Sequence, residues 1–247
     1  MIVPAGAAFL GGLINSVAGG GSFFTFPALL WMGILPTVAN ASSTVALLPG
    51  SLSSAWAYRH DIRKETHIPG IMSLLVVSLV GGVAGAFLLL STTESFFVKI
   101  IPWLLLFATL IFMAGKRISN VLKNRWLIKK HHILIAQLGI SLYGGYFGGG
   151  LGILLLAVFS FIGIDDIHTM NGLKTLFSAI INFMASIIFI LTGHVSWTLA
   201  LPMIVCAILG GLVGPWWARR MPQSTLRMII LIFSSATTAW FFWKTYH

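Results

Sequence analysis

The chain has 247 residues, of which 57% are hydrophobic and only 8% are charged. Soluble globular domains average about 25% charged residues, so this chain has too few charged side chains to cover a water-facing surface. The composition excludes soluble enzymes, nucleic-acid-binding modules and disulfide scaffolds, and it predicts an all-α polytopic membrane protein. The net charge of +10 agrees, because basic side chains cluster between long apolar runs, as they do in membrane loops.

Eight hydrophobic segments follow one another along the chain. A bilayer core of about 30 Å needs about 20 helical residues for one crossing. Two segments, 2–35 and 133–164, are too long for one straight helix and too short for two full crossings. The other six have the length of a transmembrane helix: 37–58, 68–90, 95–115, 169–192, 196–218 and 224–243.

Both of the long segments are interrupted near their middle by three consecutive glycines, at residues 19–21 and 148–150. Glycine weakens a helix by about 1 kcal/mol per residue relative to alanine, so three in a row predict a break. Paired interrupted segments in corresponding halves of a membrane protein are a strong sequence indication of a transporter's binding site.

The two halves of the chain resemble each other, which indicates a duplication. The predicted units are a first half at 1–115, a basic linker at 116–132 and a second half at 133–247. Four features recur in order at an offset of 129 to 133 residues: Ala18 and its glycines with Phe147 and its glycines, Asn40 and Thr44 with Asn171 and Thr175, Ile68-Pro69 with Leu201-Pro202, and Gly81, Gly82 and Gly85 with Gly210, Gly211 and Gly214.

The distribution of basic residues bears on the topology. If both interrupted segments cross the membrane fully, eight crossings give parallel repeats and the loop Lys and Arg residues divide ten to four. If each is a re-entrant helical hairpin, six crossings give inverted repeats and the division is twelve to two. The second arrangement satisfies the positive-inside rule better. We therefore favour inverted repeats with a cytoplasmic linker and both termini outside, while full crossing of the interrupted segments stays open.

Lys174 is the basic residue expected inside the membrane. It lies eight residues beyond Asp166, and at 1.5 Å per helical residue this places it about 12 Å into the bilayer. One hypothesis is that Lys174 binds an anionic substrate. The alternative is that its side chain snorkels or bonds to backbone carbonyls freed at a helix break. None of the five carboxylates is deep in a predicted crossing: Asp61, Glu65, Glu94, Asp165 and Asp166.

Polar residues and glycines around the two breaks suit an oxyanion. Broken helix N-termini present free N–H groups, and glycine lets an anion approach closely. The competing interpretation is helix packing, because Gly, Ser and Thr are common where membrane helices meet. The predicted substrate-binding residues are Asn15, Gly19, Gly20, Gly21, Ser22, Asn40, Ser43, Thr44, Gly148, Gly149, Gly150, Asn171, Lys174 and Thr175.

At these residues the sequence resembles the sulfite exporter TauE/SafE family, also called toluene-sulfonate uptake permeases. The resemblance covers essentially the whole chain and is carried by residues 12–22 (GLINSVAGGGS), 27–30 (PALL), 39–46 (ANASSTVA), 144–152 (GGYFGGGLG) and 171–174 (NGLK). It implies a multi-pass permease of a bacterial or archaeal cell (inner) membrane. The substrates that it implies are sulfur-containing or organic anions such as sulfite and organosulfonates.

The function expected from these observations is secondary transport of a small anion by alternating access between two inverted halves. An anion channel of similar architecture is the alternative. An enzyme is not expected, because no nucleophile–base pair or set of metal ligands lies inside the predicted membrane segments. The expected partners are the anionic substrate and the lipid bilayer, without nucleic acid, metal or cofactor. The sequence leaves open whether the chain forms a homo-oligomer.

Overall fold

The computed structural model describes residues 2–64, 70–121, 130–162, 164, 166–218, 220 and 223–246. In these ranges the chain forms α-helices and no β-strand, which confirms the predicted all-α class. The helices in chain order are α1 (Ile2–Val17), α2 (Ser22–Trp31), α3 (Pro36–Ala57), α4 (Arg59–Lys64), α5 (Ile71–Leu90), α6 (Glu94–Val121), α7 (Lys130–Tyr146), α8 (Leu151–Ile162), α9 (Ile167–Leu191), α10 (Trp197–Ala218) and α11 (Gln223–Tyr246).

The helix bounds follow the eight predicted segments to within a few residues, with two differences. The short helix α4 was not predicted, because its sequence RHDIRK has no apolar period. Helix α6 continues to Val121, past the predicted end at residue 115, and lysine and arginine at positions 116 and 117 are residue types that favour a helix. The predictions made for Glu65, Ile68-Pro69, Asp165 and linker residues 122–129 fall outside the described residues.

Three of the described helices are long and apolar enough to cross a membrane: α5, α9 and α10. Helix α3 has 22 residues but does not reach the same apolar character, because Asn, Ser, Thr and Gly residues recur along it. Most of these polar side chains are buried. The polarity of α3 is therefore directed into the protein, as is expected of a helix that helps to form an internal site.

Both glycine triplets lie between helices, as predicted. Helix α1 ends before the first triplet and α2 begins after it; α7 and α8 flank the second triplet in the same way. Gly19 and Gly148 have positive φ angles of 77° and 73°, a backbone conformation that glycine adopts without steric cost. After the first break the chain turns back onto α1, where a Cβ at Gly11 would lie 3.0 Å from the Gly21 carbonyl oxygen.

Each half places its first helix against a helix of the other half. Helix α1 packs on α10, where Gly12 faces the backbone of Ala207, and α7 packs on α5, where Gly145 faces the backbone of Gly82. A side chain at any of these close approaches would collide with backbone atoms. Small residues at helix contacts of this kind let two backbones approach closely. The two halves are therefore interlocked through α1 and α7.

The helices α3 and α9 lie side by side and run antiparallel. Near one end of the pair, the Thr169 hydroxyl donates to the Asp61 carbonyl over 3.1 Å. Near the other end, the Ser196 backbone N–H donates to the Ser42 hydroxyl over 2.8 Å. Helices α6 and α11 are antiparallel as well, because the Tyr246 hydroxyl donates to the carbonyl of Lys99 over 3.0 Å.

Candidate functional site

Lys174 is fully buried, with 0% of its surface exposed. Its ammonium donates to the carbonyl of Ser16 over 3.0 Å and to Oδ1 of Asn171 over 3.1 Å. Ser16 is in the last turn of α1, where helix carbonyls have no partner within the helix and carry the negative end of the helix dipole. A lysine ammonium has three donors, and no acceptor for the third is found among the described residues.

These contacts bear on both hypotheses for Lys174. Its bond to Ser16 is a bond to a carbonyl at the broken end of a helix, as the alternative hypothesis expects. The remaining N–H and the positive charge are still available to an anion. The sequence could not identify Ser16 as a partner, because a backbone carbonyl has no signature in the residue types.

Gly152 makes the room that Lys174 occupies. A Cβ at Gly152 would lie 2.9 Å from Cδ of Lys174 and would collide with Cα of Gly19. We call the segments between the broken helices, residues 18–21 and 147–150, the first and second glycine-rich tips. The absence of a side chain at Gly152 lets the first tip, the start of α8 and the lysine side chain meet at one point. Gly152 was not among the predicted site residues, although it follows the second triplet directly in the sequence GGGLG.

The two glycine-rich tips lie against each other. Gly19 contacts Gly152, and the position of a Cβ at Gly148 is 4.0 Å from the Ser22 hydroxyl oxygen. No side chain caps the N-terminus of α2. Within the described part of the chain, no backbone acceptor is found for the N–H groups of Gly20, Gly21, Gly149 or Gly150. The tips thus bring together several backbone donors beside the buried ammonium.

The second tip is held in place by two aromatic side chains that are not among the predicted site residues. The Tyr143 hydroxyl donates to the carbonyl of Gly149 over 2.6 Å. Phe147 packs edge-on against Phe26 of α2 and Phe97 of α6, with ring centroids 5.6 and 6.5 Å apart. These contacts attach the second tip to helices of the first half.

The two predicted asparagines are not brought together. Asn40 and Asn171 are each the fifth residue of their helix, and because α3 and α9 run antiparallel they lie toward opposite ends of the pair. The 22 residues of α3 span about 33 Å. Asn40 instead donates from Nδ2 to the carbonyl of Tyr146 over 3.0 Å, at the end of α7. Each asparagine therefore serves the broken helix of the other half: Asn40 directly, and Asn171 through Lys174.

Ser43 and Asn15 form hydrogen bonds within the first half. The hydroxyl oxygens of Ser43 and Thr25 are 2.5 Å apart, and both residues are buried. Asn15 donates from Nδ2 to the Ser51 hydroxyl over 2.9 Å. Both predicted residues already have polar partners, so their side chains position α2 and α3 around the first tip.

Thr44 and Thr175 make equivalent contacts in the two halves. The Thr44 hydroxyl donates to the carbonyl of Asn40 over 2.9 Å, and that of Thr175 donates to the carbonyl of Asn171 over 3.0 Å. Such bonds to the carbonyl four residues earlier are common for threonine in membrane helices. The hydroxyl protons of both residues are therefore directed at their own helices.

Seven of the helices around the tips carry a single charged side chain between them. Helices α1, α2, α3, α5, α8, α9 and α10 contain one residue of the types Lys, Arg, Asp and Glu, and that residue is Lys174. The buried carboxylate Asp61 is in α4, Glu94 is in the first turn of α6, and Asp166 caps α9. The ammonium of Lys174 is thus the full charge at the tips.

Comparison with known proteins finds relatives that are similar over most of the chain. The chain is 25% identical over 236 residues to a probable membrane transporter protein of Haemophilus influenzae, covering 94% of this chain and 90% of the relative. It is 27% identical over 232 residues to the probable membrane transporter protein YfcA of Escherichia coli K12, covering 94% and 86%. It is 28% identical over 235 residues to the probable membrane transporter protein ORF9 of a Sinorhizobium species, covering 93% and 87%.

No solved structure matches the chain. The family model described as sulfite exporter TauE/SafE matches residues 5–241, nearly the whole length. The relatives are named probable membrane transporter proteins, and helices α5, α9 and α10 are long and apolar enough to cross a membrane. The chain therefore belongs to the family described as sulfite exporter TauE/SafE.

Proposed function

We propose that this protein is a secondary transporter of small sulfur-containing or organic anions, such as sulfite or organosulfonates. The observation that carries the proposal is the buried ammonium of Lys174, which has an open donor and lies where the two glycine-rich tips meet. A buried cation without a carboxylate partner favours an anionic ligand. The family description and the membrane-transporter relatives support the same class of function.

The anion is bound by the backbone N–H groups of Gly20, Gly21, Gly149 and Gly150 and by the ammonium of Lys174. Asn171 orients the ammonium, since its Oδ1 accepts one of the three N–H groups. Asn15, Asn40, Ser43, Thr44 and Thr175 hold the surrounding helices in place through the hydrogen bonds described above. Burial of most of these residues excludes water from the site, which strengthens its electrostatic interaction with an anion.

The transport mechanism that we propose is alternating access between two inverted halves, in a cell membrane that the chain crosses several times. Helices at the same place in the two halves run antiparallel in two pairs, α3 with α9 and α6 with α11. A two-fold axis in the membrane plane produces this relation between repeats. The turn of α2 back onto α1 supports a re-entrant hairpin.

Thiol labelling tests this topology. In a Cys206→Ala background, single cysteines replace Ile2 and His131, both of which are exposed. Inverted repeats predict that an impermeant reagent labels the two cysteines from opposite sides of the membrane. Labelling of both from the same side contradicts the hairpin topology and favours eight full crossings.

Anion uptake into proteoliposomes tests the function. The panel comprises sulfite, thiosulfate, sulfoacetate, methanesulfonate and acetate, with wild type, Lys174→Ala and Lys244→Ala compared. We expect saturable uptake of a sulfur anion that falls about a hundredfold in Lys174→Ala, because a buried charge on the binding partner is lost. Lys244→Ala is the control, since Lys244 lies exposed at the end of α11 above Trp240 and its loss should leave uptake unchanged.

Two outcomes oppose the proposal. Equal uptake by wild type and a folded Lys174→Ala protein removes Lys174 from the site, and absence of uptake of every anion contradicts the substrate class. Counterflow separates a transporter from a channel of similar architecture. Internal unlabelled anion should accelerate entry of the labelled anion through a transporter, whereas a channel shows no such stimulation.

A further inference from the structure

The charge that Lys174 places at the tips determines the charge of the ligand that fits there. This inference rests on the proposed function and concerns the same site. Lys174 supplies one positive charge, and no second Lys or Arg occurs in α1, α2, α3, α5, α8, α9 or α10. An arginine pair or a second lysine, which would suit a doubly charged anion, is therefore missing from the helices that build the site.

The helix dipoles at the tips do not add a second unit of charge. An N-terminus carries about +0.5 of an elementary charge and a C-terminus about −0.5. Each break presents both ends: the C-terminus of α1 beside the N-terminus of α2, and the C-terminus of α7 beside the N-terminus of α8. Their charges cancel in each half, so the sum at the tips stays close to that of the Lys174 ammonium.

We infer that the transported species is a monoanion, such as hydrogen sulfite or a monosulfonate, and that dianions are excluded. A monoanion beside the ammonium gives a loaded site without net charge. A dianion leaves one uncompensated negative charge among buried apolar residues such as Leu13, Leu151 and Leu173. The cost of a net charge at such a position corresponds to a factor of about a hundred in binding.

The test compares two anions of nearly equal shape, methanesulfonate and sulfate, in which a methyl group replaces one oxygen. Proteoliposomes with wild-type protein should take up methanesulfonate about a hundredfold faster than sulfate at equal concentration. Sulfate uptake within about threefold of methanesulfonate, dependent on Lys174, overturns the monoanion inference and leaves the proposed transport function standing. Absence of Lys174-dependent uptake of sulfite, sulfate and methanesulfonate alike overturns both.

Sulfite provides a second measurement that does not depend on accommodation of a methyl group. Sulfite gains a proton near neutral pH, so its monoanionic fraction rises from mildly alkaline to mildly acidic conditions. We expect uptake at constant total sulfite, corrected for protein-free liposomes, to rise in proportion to that fraction. Uptake that rises instead with the dianionic fraction overturns the inference.

Methanesulfonate uptake is the control for titration of the protein itself, because methanesulfonate stays a monoanion over this pH range. Helices α1, α3, α5 and α8, which pack against α9, have no titratable side chain. The titratable groups on the other helices in contact with α9, and on α9 itself, are Arg59, His60, Asp61, Arg63, Lys64, Lys130, His131, His132, Tyr143, Tyr146, His168 and Lys174. Tyr58, between α3 and α4, also packs against α9 at Gly172. A pH response of the protein through any of these groups would change methanesulfonate uptake as well. The ratio of sulfite uptake to methanesulfonate uptake at each pH therefore removes this contribution.

Discussion

The two halves of this protein share a backbone plan but differ in the chemistry at their broken helices. In the first half, Asn40 reaches the carbonyl of Tyr146 at the end of α7 directly. In the second half, the corresponding Asn171 reaches the end of α1 through the ammonium of Lys174. The residue that matches Lys174 in the first half is Ser43, three positions after its asparagine. The asparagine is present at both of these positions, whereas the lysine is present at one of them.

The two halves also differ in the size of the second residue after the glycine triplet. At the offset of the glycine triplets, Gly152 in the second half corresponds to Phe23 in the first. Gly152 leaves space for the lysine side chain, while Phe23 is 1% exposed and belongs to the aromatic core. In the second half a glycine and a lysine thus occupy the positions that hold a phenylalanine and a serine in the first half. Gly152 thus makes room for the lysine in the second half, while Phe23 fills the hydrophobic core in the first half.

Filling the space at Gly152 is expected to have the largest effect on stability and anion uptake, because this space distinguishes the second half from the first. Gly152→Leu should destabilise the protein by about 3 kcal/mol and abolish anion uptake, because the new side chain meets both the Gly19 backbone and Lys174. Thermal unfolding in detergent and proteoliposome uptake measure the two effects.

Gly139→Ala is the matched control for that substitution. Gly139 is in α7, and a Cβ there has no neighbour within 4 Å. Alanine should change stability by less than about 1 kcal/mol, in the stabilising direction, and leave uptake intact. If Gly152→Leu behaves like Gly139→Ala, then the second half does not depend on a close approach of Gly152 to the first tip.

Much of the fold could be predicted because the determining signals are local. Apolar runs of the right length gave the helices, and the glycine triplets gave the breaks at residues 18–21 and 147–150. The pairing of α1 with α10 and of α5 with α7 could not be predicted in the same way. Repeated glycines such as Gly85 and Gly210 indicate a close contact, but they do not identify the helix on the other side.

The candidate site was predictable in part for a similar reason. A lysine among apolar residues is conspicuous in the sequence, and so is a glycine triplet. The partner of Lys174 is the backbone carbonyl of Ser16, and the restraint on the second tip is the hydroxyl of Tyr143. These contacts depend on chain segments that are far apart in sequence. The equal positions of Asn40 and Asn171 in the two halves suggest that they share one site. The antiparallel packing of α3 on α9 places them toward opposite ends instead, and this packing could not be read from the sequence.

The two asparagines should respond differently to replacement by alanine, with intermediate effects. Asn40→Ala leaves the buried carbonyl of Tyr146 without its donor and should lower stability by about 2 kcal/mol with less than about threefold loss of uptake. Asn171→Ala removes one acceptor from Lys174 and should lower uptake about tenfold, because the ammonium is held less firmly. Unfolding midpoints and uptake rates of both variants test this. Equal losses of uptake would show that the halves contribute alike to the site.

The smallest effects on stability and uptake are expected at Thr44 and Thr175, which make the same contact in the two halves. Thr44→Val and Thr175→Val each remove a hydroxyl that donates to a carbonyl of its own helix and keep the shape of the side chain. Each substitution should change stability by less than about 1 kcal/mol, because the carbonyl keeps its helical partner. Uptake should stay within about twofold of wild type in both variants. A tenfold loss in Thr175→Val alone would mean that its hydroxyl turns from the Asn171 carbonyl to the anion during transport, and that the asymmetry between the halves extends beyond Lys174.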